Sequence, residues 1–174
     1  MNLRRVPELV PTLLLVAALV PRGATALPED AQQEIEVDSE AAELFLDEGL
    51  IVYTGSESEP ACITQGTLKI CGNEIRLERA PGAEAGLQKV TATGTPATFQ
   101  QQPAADQQLA HASGGTLVFD NVTRLVTADG DAEFSQAGTV LTHQHIEYNL
   151  DTRRASASSS GERGQMRIPP NAAN

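Results

Sequence analysis

The sequence has no tryptophan and few aromatic side chains of any kind. Phenylalanine and tyrosine together make up 3% of the 174 residues. The core must therefore consist mainly of Val, Ile, Leu and Ala, and β-branched side chains pack well on a pleated surface. This composition favours a slim β-structure over a wide globule.

Basic residues are also scarce. The chain has 12 Lys and Arg against 23 Asp and Glu, which gives a formal net charge of −11. Beyond the first 26 residues, the basic residues are scattered except for Arg153-Arg154, so no stripe could follow a phosphate backbone. Because a field of this sign repels nucleic acid, we exclude nucleic-acid binding.

The motifs of common enzyme classes are missing. There is no Gly-x-Ser-x-Gly elbow and no Walker loop. His143, His145 and Glu147 alternate, so on one strand all three would share a face, as metal ligands could. The alternative is a solvated face opposite Ile146 and Tyr148, and we prefer it because a polar row is the ordinary partner of an apolar one. A metal-dependent hydrolase at these histidines is therefore a minor alternative, and we predict no enzyme, no resident metal and no cofactor.

Cys62 and Cys71 are the only cysteines. They cannot supply the four ligands of a zinc site. In an oxidising compartment pairing is the default, and the alternative is two buried free thiols. We predict a disulfide.

The first 26 residues have the pattern of a secretory signal. Arg4 and Arg5 precede an apolar run at 13–20, and Ala24-Thr25-Ala26 resembles a cleavage site. The run of eight residues is shorter than the roughly 20 needed to span a bilayer. We expect the mature chain to begin at Leu27, with a loose leader at 27–34. This mature chain would contain nine basic and 22 acidic residues, which gives a net charge of −13.

Short alternating segments recur at even spacing along the mature chain. A polar tail follows at 161–174, for which we predict disorder. Segments 94–100 and 130–136 are alike, and a period of about 36 residues suggests units stacked on one another. We expect Pro96 at a strand start or a sheet edge. The pattern predicts an all-β sandwich, jelly roll or solenoid with these strands: 35–38, 41–46, 50–53, 68–71, 73–77, 89–92, 116–120, 124–128, 132–135, 139–142, 146–150 and 155–158.

The order of several short motifs resembles the OstA-like family. The resemblance extends from about Ile35 to Ala157, and its motifs are Ile35-Glu36-Val37-Asp38-Ser39-Glu40, Val52-Tyr53-Thr54-Gly55, Thr64-Gln65-Gly66-Thr67-Leu68-Lys69-Ile70, the segment 94–100, Gly130-Asp131-Ala132 and Ile146-Glu147-Tyr148. It implies an open, twisted antiparallel β-jelly roll over residues 35–160. The interior of that fold would shield the acyl chains of lipopolysaccharide (lipid A).

The resemblance also implies a location and partners. The protein would be a periplasmic carrier and bridge that moves lipopolysaccharide without chemical conversion. It would form a head-to-tail homo-oligomer through exposed edge strands, between an inner-membrane LptC-like protein and an outer-membrane LptD-like OstA domain. The alternatives are an inner-membrane-anchored protein of the same fold, against which Ala24-Thr25-Ala26 argues, and a secreted structural β-solenoid with a closed core.

The resemblance further implies which residues meet the lipid. Ile35 and Val37 match inward positions of the first strand, near the entrance. Arg79 matches a basic residue close to the groove, where a guanidinium could meet a phosphate. Ordinary core filling is the alternative for each apolar position. The expected inner wall includes Leu68, Ile70, Ile75, Leu77, Phe99, Leu117, Phe119, Phe134, Ile146 and Tyr148.

The sequence departs from the family pattern in two places, the loop at 57–60 and the cysteine pair. The strong negative charge also fits a phosphate-rich ligand poorly. It is compatible with one if the head groups stay at the rim or are bridged by divalent cations.

Overall fold

The computed structural model describes residues 30–79, 87–158 and 163–170. The predicted signal at 1–26 and a turn-rich segment at 80–86 lie outside these ranges. Within them, no helix is long and apolar enough to cross a membrane. A 3-10 turn at Asp30–Gln32 precedes twelve strands: β1 Glu36–Asp38, β2 Ala41–Phe45, β3 Leu50–Thr54, β4 Ala61–Gln65, β5 Leu68–Gly72, β6 Glu74–Arg79, β7 Leu87–Gln101, β8 Ala110–Asp120, β9 Leu125–Gln136, β10 Thr139–Asn149, β11 Arg154–Ala157 and β12 Gln165–Arg167.

In each of the four long strands β7 to β10, the regular pairing with the neighbouring strand is interrupted near the middle. The interruptions are neighbours across the sheet, and β-bulges of this kind bend a strand. They form a line that we call the fold line. The pairing shifts lie between Thr93 and Ala97 in β7, Ser113 and Thr116 in β8, Asp129 and Ala132 in β9, and His143 and His145 in β10.

The fold line divides one continuous sheet into two layers that share β7 to β10. On one side, which we call layer A, the strand order is β2-β3-β6-β7-β8-β9-β10-β11. On the other side, layer B, it is β1-β4-β5-β7-β8-β9-β10-β12. The hairpin turns farthest from the fold line form what we call the tip margin of each layer.

The two layers face each other. The rings of Phe99 in layer B and Phe119 in layer A are 5.9 Å apart between centroids. Phe134 in layer B and Tyr148 in layer A are 4.5 Å apart in the same way. The core therefore lies between the layers, as in a sandwich whose two sheets are joined along one side.

All strand pairs of the described residues are antiparallel, and β1, β2, β11 and β12 are edge strands. This confirms the predicted open antiparallel β-fold. The predicted stack of repeated units is wrong, because β7 to β11 form one antiparallel meander, while β1 pairs with β4 and β3 pairs with β6. The two similar segments occupy corresponding halves of β7 and β9, and Pro96 lies inside the β7 interruption rather than at a strand start or sheet edge.

Both ends of the described chain are more ordered than the sequence predicts. The leader is tied down at Asp30, whose carboxylate is buried and accepts a hydrogen bond of 3.0 Å from the Thr67 amide. The segment 161–174 is not uniformly disordered, because Gln165–Arg167 pairs with β10. In both cases a contact distant in sequence orders a polar segment that has no apolar pattern of its own.

Candidate functional site

The interior surface of each layer is an apolar row with one residue from each of its eight strands. Directly paired residues in a sheet project to the same face, so the register defines the rows. In layer A the row is Leu44, Ile51, Leu77, Val90, Phe119, Val126, Tyr148 and Ala155. In layer B it is Val37, Ile63, Ile70, Phe99, Ala112, Phe134, Leu141 and Met166.

The ten apolar residues predicted for the inner wall all lie in the core. None of them is more than 7% exposed. Their side chains pack against one another in a single cluster, to which Ile35 is added as a partly buried neighbour. The structure thus places these residues between the layers, with the interior closed around them.

The other two predicted residues differ in position. Val37 lies on the inner face of edge strand β1, opposite Ile63, and is 36% exposed. Arg79 ends β6 at the tip margin of layer A, and its side chain is exposed. Arg79 therefore lies beside the interior rather than within it.

The inner rows end in exposed apolar side chains at the edges of the sheet. Leu44, at the β2 end of the layer A row, and Met166, at the β12 end of the layer B row, are each 58% exposed. With Val37, they leave apolar surface uncovered at both side edges. Isolated exposed apolar residues are ordinary, but these are continuous with the core.

Sequence reasoning missed about half of the inner rows. Small residues carry little hydrophobic signal, as at Ala112 in the layer B row and at the inward Ala92 and Ala128 one position nearer the fold line in layer A, although each alternates with polar neighbours. Met166 was missed because its segment is too short for a period to show. Gln101 was missed because a buried glutamine contradicts the expected pattern, although it lies two residues after the inward Phe99.

The polar groups at His143, His145 and Glu147 do not form one face. The β10 interruption lies between His143 and His145, so His143 shares a face with buried Ala132. His145 projects to the other face, where its Nδ1 is 2.6 Å from Asp129 Oδ1. The hydrogen bond with Asp129 raises the pKa of His145, against the opposing effect of partial burial. In the described residues no group of three or more His, Cys, Asp or Glu is arranged to hold a metal ion.

Cys62 and Cys71 form a disulfide across the β4–β5 hairpin. The two residues are directly opposite in the register, with their Cα atoms 4.2 Å apart. β4 also carries β1, so the disulfide braces the hairpin on which the edge strand is built. It lies on the face opposite the interior, since Ile63 and Ile70 project inward.

The sequence was compared with known protein families. Residues 36–154 match the model of the family described as "LptA/(LptD N-terminal domain) LPS transport protein". This chain belongs to that family. The matched segment includes every strand from β1 to the start of β11, so the match confirms the OstA-like resemblance.

Relatives of this LPS transport family are similar over most of their length. "Lipopolysaccharide export system protein LptH" of Pseudomonas aeruginosa is 31% identical over 156 residues, 90% of this chain and 85% of the relative. "Lipopolysaccharide export system protein LptA" of Escherichia coli K12 is 29% identical over 151 residues, 86% of this chain and 77% of the relative.

A solved structure has the same fold. The crystal structure of Pseudomonas aeruginosa LptH, titled as the LptA-homologous periplasmic component of a lipopolysaccharide transport device, has a TM-score of 0.72 and 28% identity. The match covers 82% of this chain and all of the LptH chain.

Proposed function

We propose that this protein is a periplasmic lipopolysaccharide carrier that forms part of a bridge between the inner and outer membranes. The observation that carries the proposal is the combination of family membership with two continuous apolar rows open at both side edges. The protein binds and moves the lipid, and no chemical step is involved.

The inner rows fit hydrocarbon chains without specific polar contacts. Each buried methylene contributes about 0.8 kcal/mol, so several acyl chains are held by a plain wall of Val, Ile, Leu and Phe. Because the core of the free protein is closed, lipid entry requires the two layers to separate along the tip margin or at a side edge. The exposed inner residues Val37 and Leu44 make the β1/β2 edge the favoured entrance.

Head-to-tail association follows from the two side edges. Edge strands carry unpaired backbone groups that accept a further strand, and a heterologous contact of this kind extends into a filament. Pairing the β1/β2 edge of one copy with the β11/β12 edge of the next joins their inner rows. It also covers Val37, Leu44 and Met166, which are exposed in the monomer.

The two edges have opposite charge. Residues 34–48 contain seven acidic residues and no basic one, whereas 152–170 contain four arginines and one glutamate. This complementarity favours contact between unlike edges and disfavours contact between like ones. The membrane-bound partners are then an LptC-like protein and an LptD-like OstA domain that present a matching edge at each end of the bridge.

Site-specific photo-crosslinking to lipopolysaccharide tests the proposal. The crosslinking residue is placed at Val37 and, in separate variants, at Phe119, both on inner rows. Val118, the neighbour of Phe119 on the opposite face of β8, is the matched control. We expect lipid adducts at the two inner positions and none at the control.

Folding of each variant is checked by circular dichroism before crosslinking. A folded protein with no adduct at Val37 or Phe119 would contradict the carrier function and favour a closed structural β-protein. Equal adducts at Phe119 and Val118 would indicate non-specific surface binding, which also contradicts it.

A further inference from the structure

Three buried polar atoms lack a hydrogen-bond partner within the described part of the chain. One, the Nδ1 of His143, lies beside the fold line. The other two lie farther from it and are the hydroxyl oxygen of Tyr148 and the Oε1 of Gln101. Tyr148 is 1% exposed and Gln101 is 3% exposed. The Gln136 side chain lies beside the Tyr148 hydroxyl, but its Nε2 donates to the Gln108 carbonyl oxygen at 3.0 Å.

Both residues lie at the same level of the sandwich. Gln101 is the last residue of β7 in layer B, and Tyr148 is the last but one residue of β10 in layer A. Gln101 is therefore next to the tip margin of layer B, while in layer A the buried Leu150 lies between Tyr148 and the tip margin. The residues nearer the fold line in the same strands, such as Ala97 and Ile146, are apolar.

An orphaned polar atom in a core is costly, because it has lost its bonds to water without gaining others. Leucine or phenylalanine would fill either position without that cost. Two such atoms on facing layers, one a donor and the other an acceptor, are accounted for if the interior also holds a molecule with matching groups.

Arginines lie farther from the fold line than these two polar residues. The Arg124 guanidinium lies 5.8 Å from the centroid of the Phe119 ring, within cation–π range. Arg153, in the β10–β11 turn, is close enough to Tyr148 to oppose the rise in its pKa that burial causes. Arg79 is a third arginine at the tip margin of layer A. Acidic residues lie there as well, and the Arg124 Nε is 3.7 Å from the Asp151 Oδ1.

We propose that Tyr148 and Gln101 bind hydrogen-bonding groups on the acyl chains of the lipid, hydroxyl or amide groups near its polar end, while Arg79, Arg124 and Arg153 lie beside its anionic head. The hydrocarbon then occupies the apolar level toward the fold line. This inference rests on the proposed function and assigns an orientation and a specificity to the same interior.

The arrangement selects against plain acyl chains. A simple fatty acyl ester has carbonyl oxygens but no donor for the Gln101 Oε1, which would stay buried and unsatisfied. Sites that hydrogen-bond a ligand group reject analogues without that group more strongly than apolar pockets reject a change in size. A carrier with this arrangement binds ordinary diacyl lipids more weakly than lipids with hydroxylated acyl chains.

Competition between two fatty acids that differ in one hydroxyl tests the inference. The probes are 3-hydroxytetradecanoic acid and tetradecanoic acid, each competing with lipopolysaccharide for crosslinking at Val37. For the wild-type protein we expect the hydroxylated acid to compete about tenfold better, the effect of one buried hydrogen bond. Tyr148→Phe and Gln101→Leu should each reduce this preference, and the double variant should abolish it.

Tyr53→Phe is the matched control, because Tyr53 lies on the inner face of layer A but nearer the fold line. It should leave the preference unchanged. Thermal unfolding of Tyr148→Phe and Gln101→Leu should be unchanged or shifted upward, since each removes an unpartnered polar atom. If either variant has lower thermal stability and both fatty acids compete equally less well, the residue has a structural role, and the inference is overturned.

The two proposals fail in distinguishable ways. Lipopolysaccharide crosslinking without any preference for the hydroxylated acid overturns the assignment of Tyr148 and Gln101 and leaves the carrier function standing. Absence of crosslinking in the wild-type protein removes both.

Discussion

At the residue scale, the fold depends on side chains that do not fit the apolar alternation of its strands. Asp30 is a buried carboxylate in a segment with no apolar period, and it holds the leader against the β4–β5 turn. Gly66 lies in that turn with φ +60, and a Cβ at Gly66 would collide with the Asp30 carboxylate. This position therefore requires glycine for both its conformation and its space.

His145 makes the stability of the protein depend on pH. Its pKa is raised above the usual 6.5 mainly by the hydrogen bond with Asp129. A raised pKa means that the contribution to stability is fully present below 6.5 and is lost as the pH rises through the higher folded value. The wild-type advantage over Asp129→Asn in urea unfolding should therefore be larger at about pH 5.5 than at about pH 8.5.

Asp131→Asn is the control for this measurement, because Asp131 contacts Gln144 rather than a histidine. Its effect should be the same at both pH values. A pH-independent difference between wild type and Asp129→Asn would contradict the assigned coupling, as would a His145 pKa at or below 6.5 in an NMR titration.

At the element scale, the interruptions of β7 to β10 create the two layers. Gly114 and Gly115 form the β8 interruption and have different surroundings. A Cβ on Gly114 would lie 2.8 Å from the Asp129 carbonyl oxygen, while the nearest atom for Gly115 is 3.6 Å away. The neighbouring strand thus approaches closely at only one of these two glycines.

Gly114→Ala should lower the free energy of unfolding by about 1 to 3 kcal/mol, because the crowded backbone has to move. Gly115→Ala, one residue away, should be neutral or slightly stabilising, since it reduces the freedom of the unfolded chain. Urea unfolding measures both. Equal effects of the two substitutions would mean that the close approach to β9 does not constrain the fold line.

The β4–β5 hairpin depends on its disulfide. Cross-linking residues nine apart in sequence is worth roughly 2.5 to 3 kcal/mol in the chain-entropy model. Adding a reductant to the wild-type protein should lower its free energy of unfolding by about that amount. The double variant Cys62→Ala/Cys71→Ala should be destabilised similarly and should not respond to reductant, and an unresponsive wild type would contradict a structural disulfide.

At the scale of the whole molecule, the proposed assembly depends on the open edges and their charges. Strands β1 and β2 carry the acidic edge and β11 and β12 the basic one. A monomer therefore exposes two unlike surfaces, each suited to the opposite surface of another copy. Association should weaken with rising salt, because exposed charges are screened over a short distance.

Charge exchange between the edges tests this polarity. Glu36→Lys/Asp38→Lys makes edge strand β1 basic, and Arg154→Glu/Arg167→Glu removes the basic residues of edge strands β11 and β12 and puts acidic ones in their place. Each variant alone should remain monomeric in sedimentation velocity, whereas an equal mixture should assemble as the wild type does. Assembly of either variant alone, or failure of the mixture with both proteins folded, would contradict pairing of unlike edges.

The sequence alone determined the inward side of several strands. Alternation placed Ile75 and Leu77 on an inner face, the resemblance added Phe99, Leu117 and Phe119, and all of them are in the core. This works because the period of two is a local property of extended backbone, independent of which strands are neighbours. The ordered motifs likewise identified the family before any contact was known.

Only the tertiary structure decided how those strands combine. It merged the segments predicted separately for β9 and for β10, and it extended the segments predicted at 89–92 and 116–120 into the long strands β7 and β8. It also placed His143 on the face opposite His145. It also ordered Gln165–Arg167 and brought Tyr148 and Gln101 to one level of the interior. Register, bulges and layer contacts depend on pairing between residues far apart in sequence, so no local pattern records them.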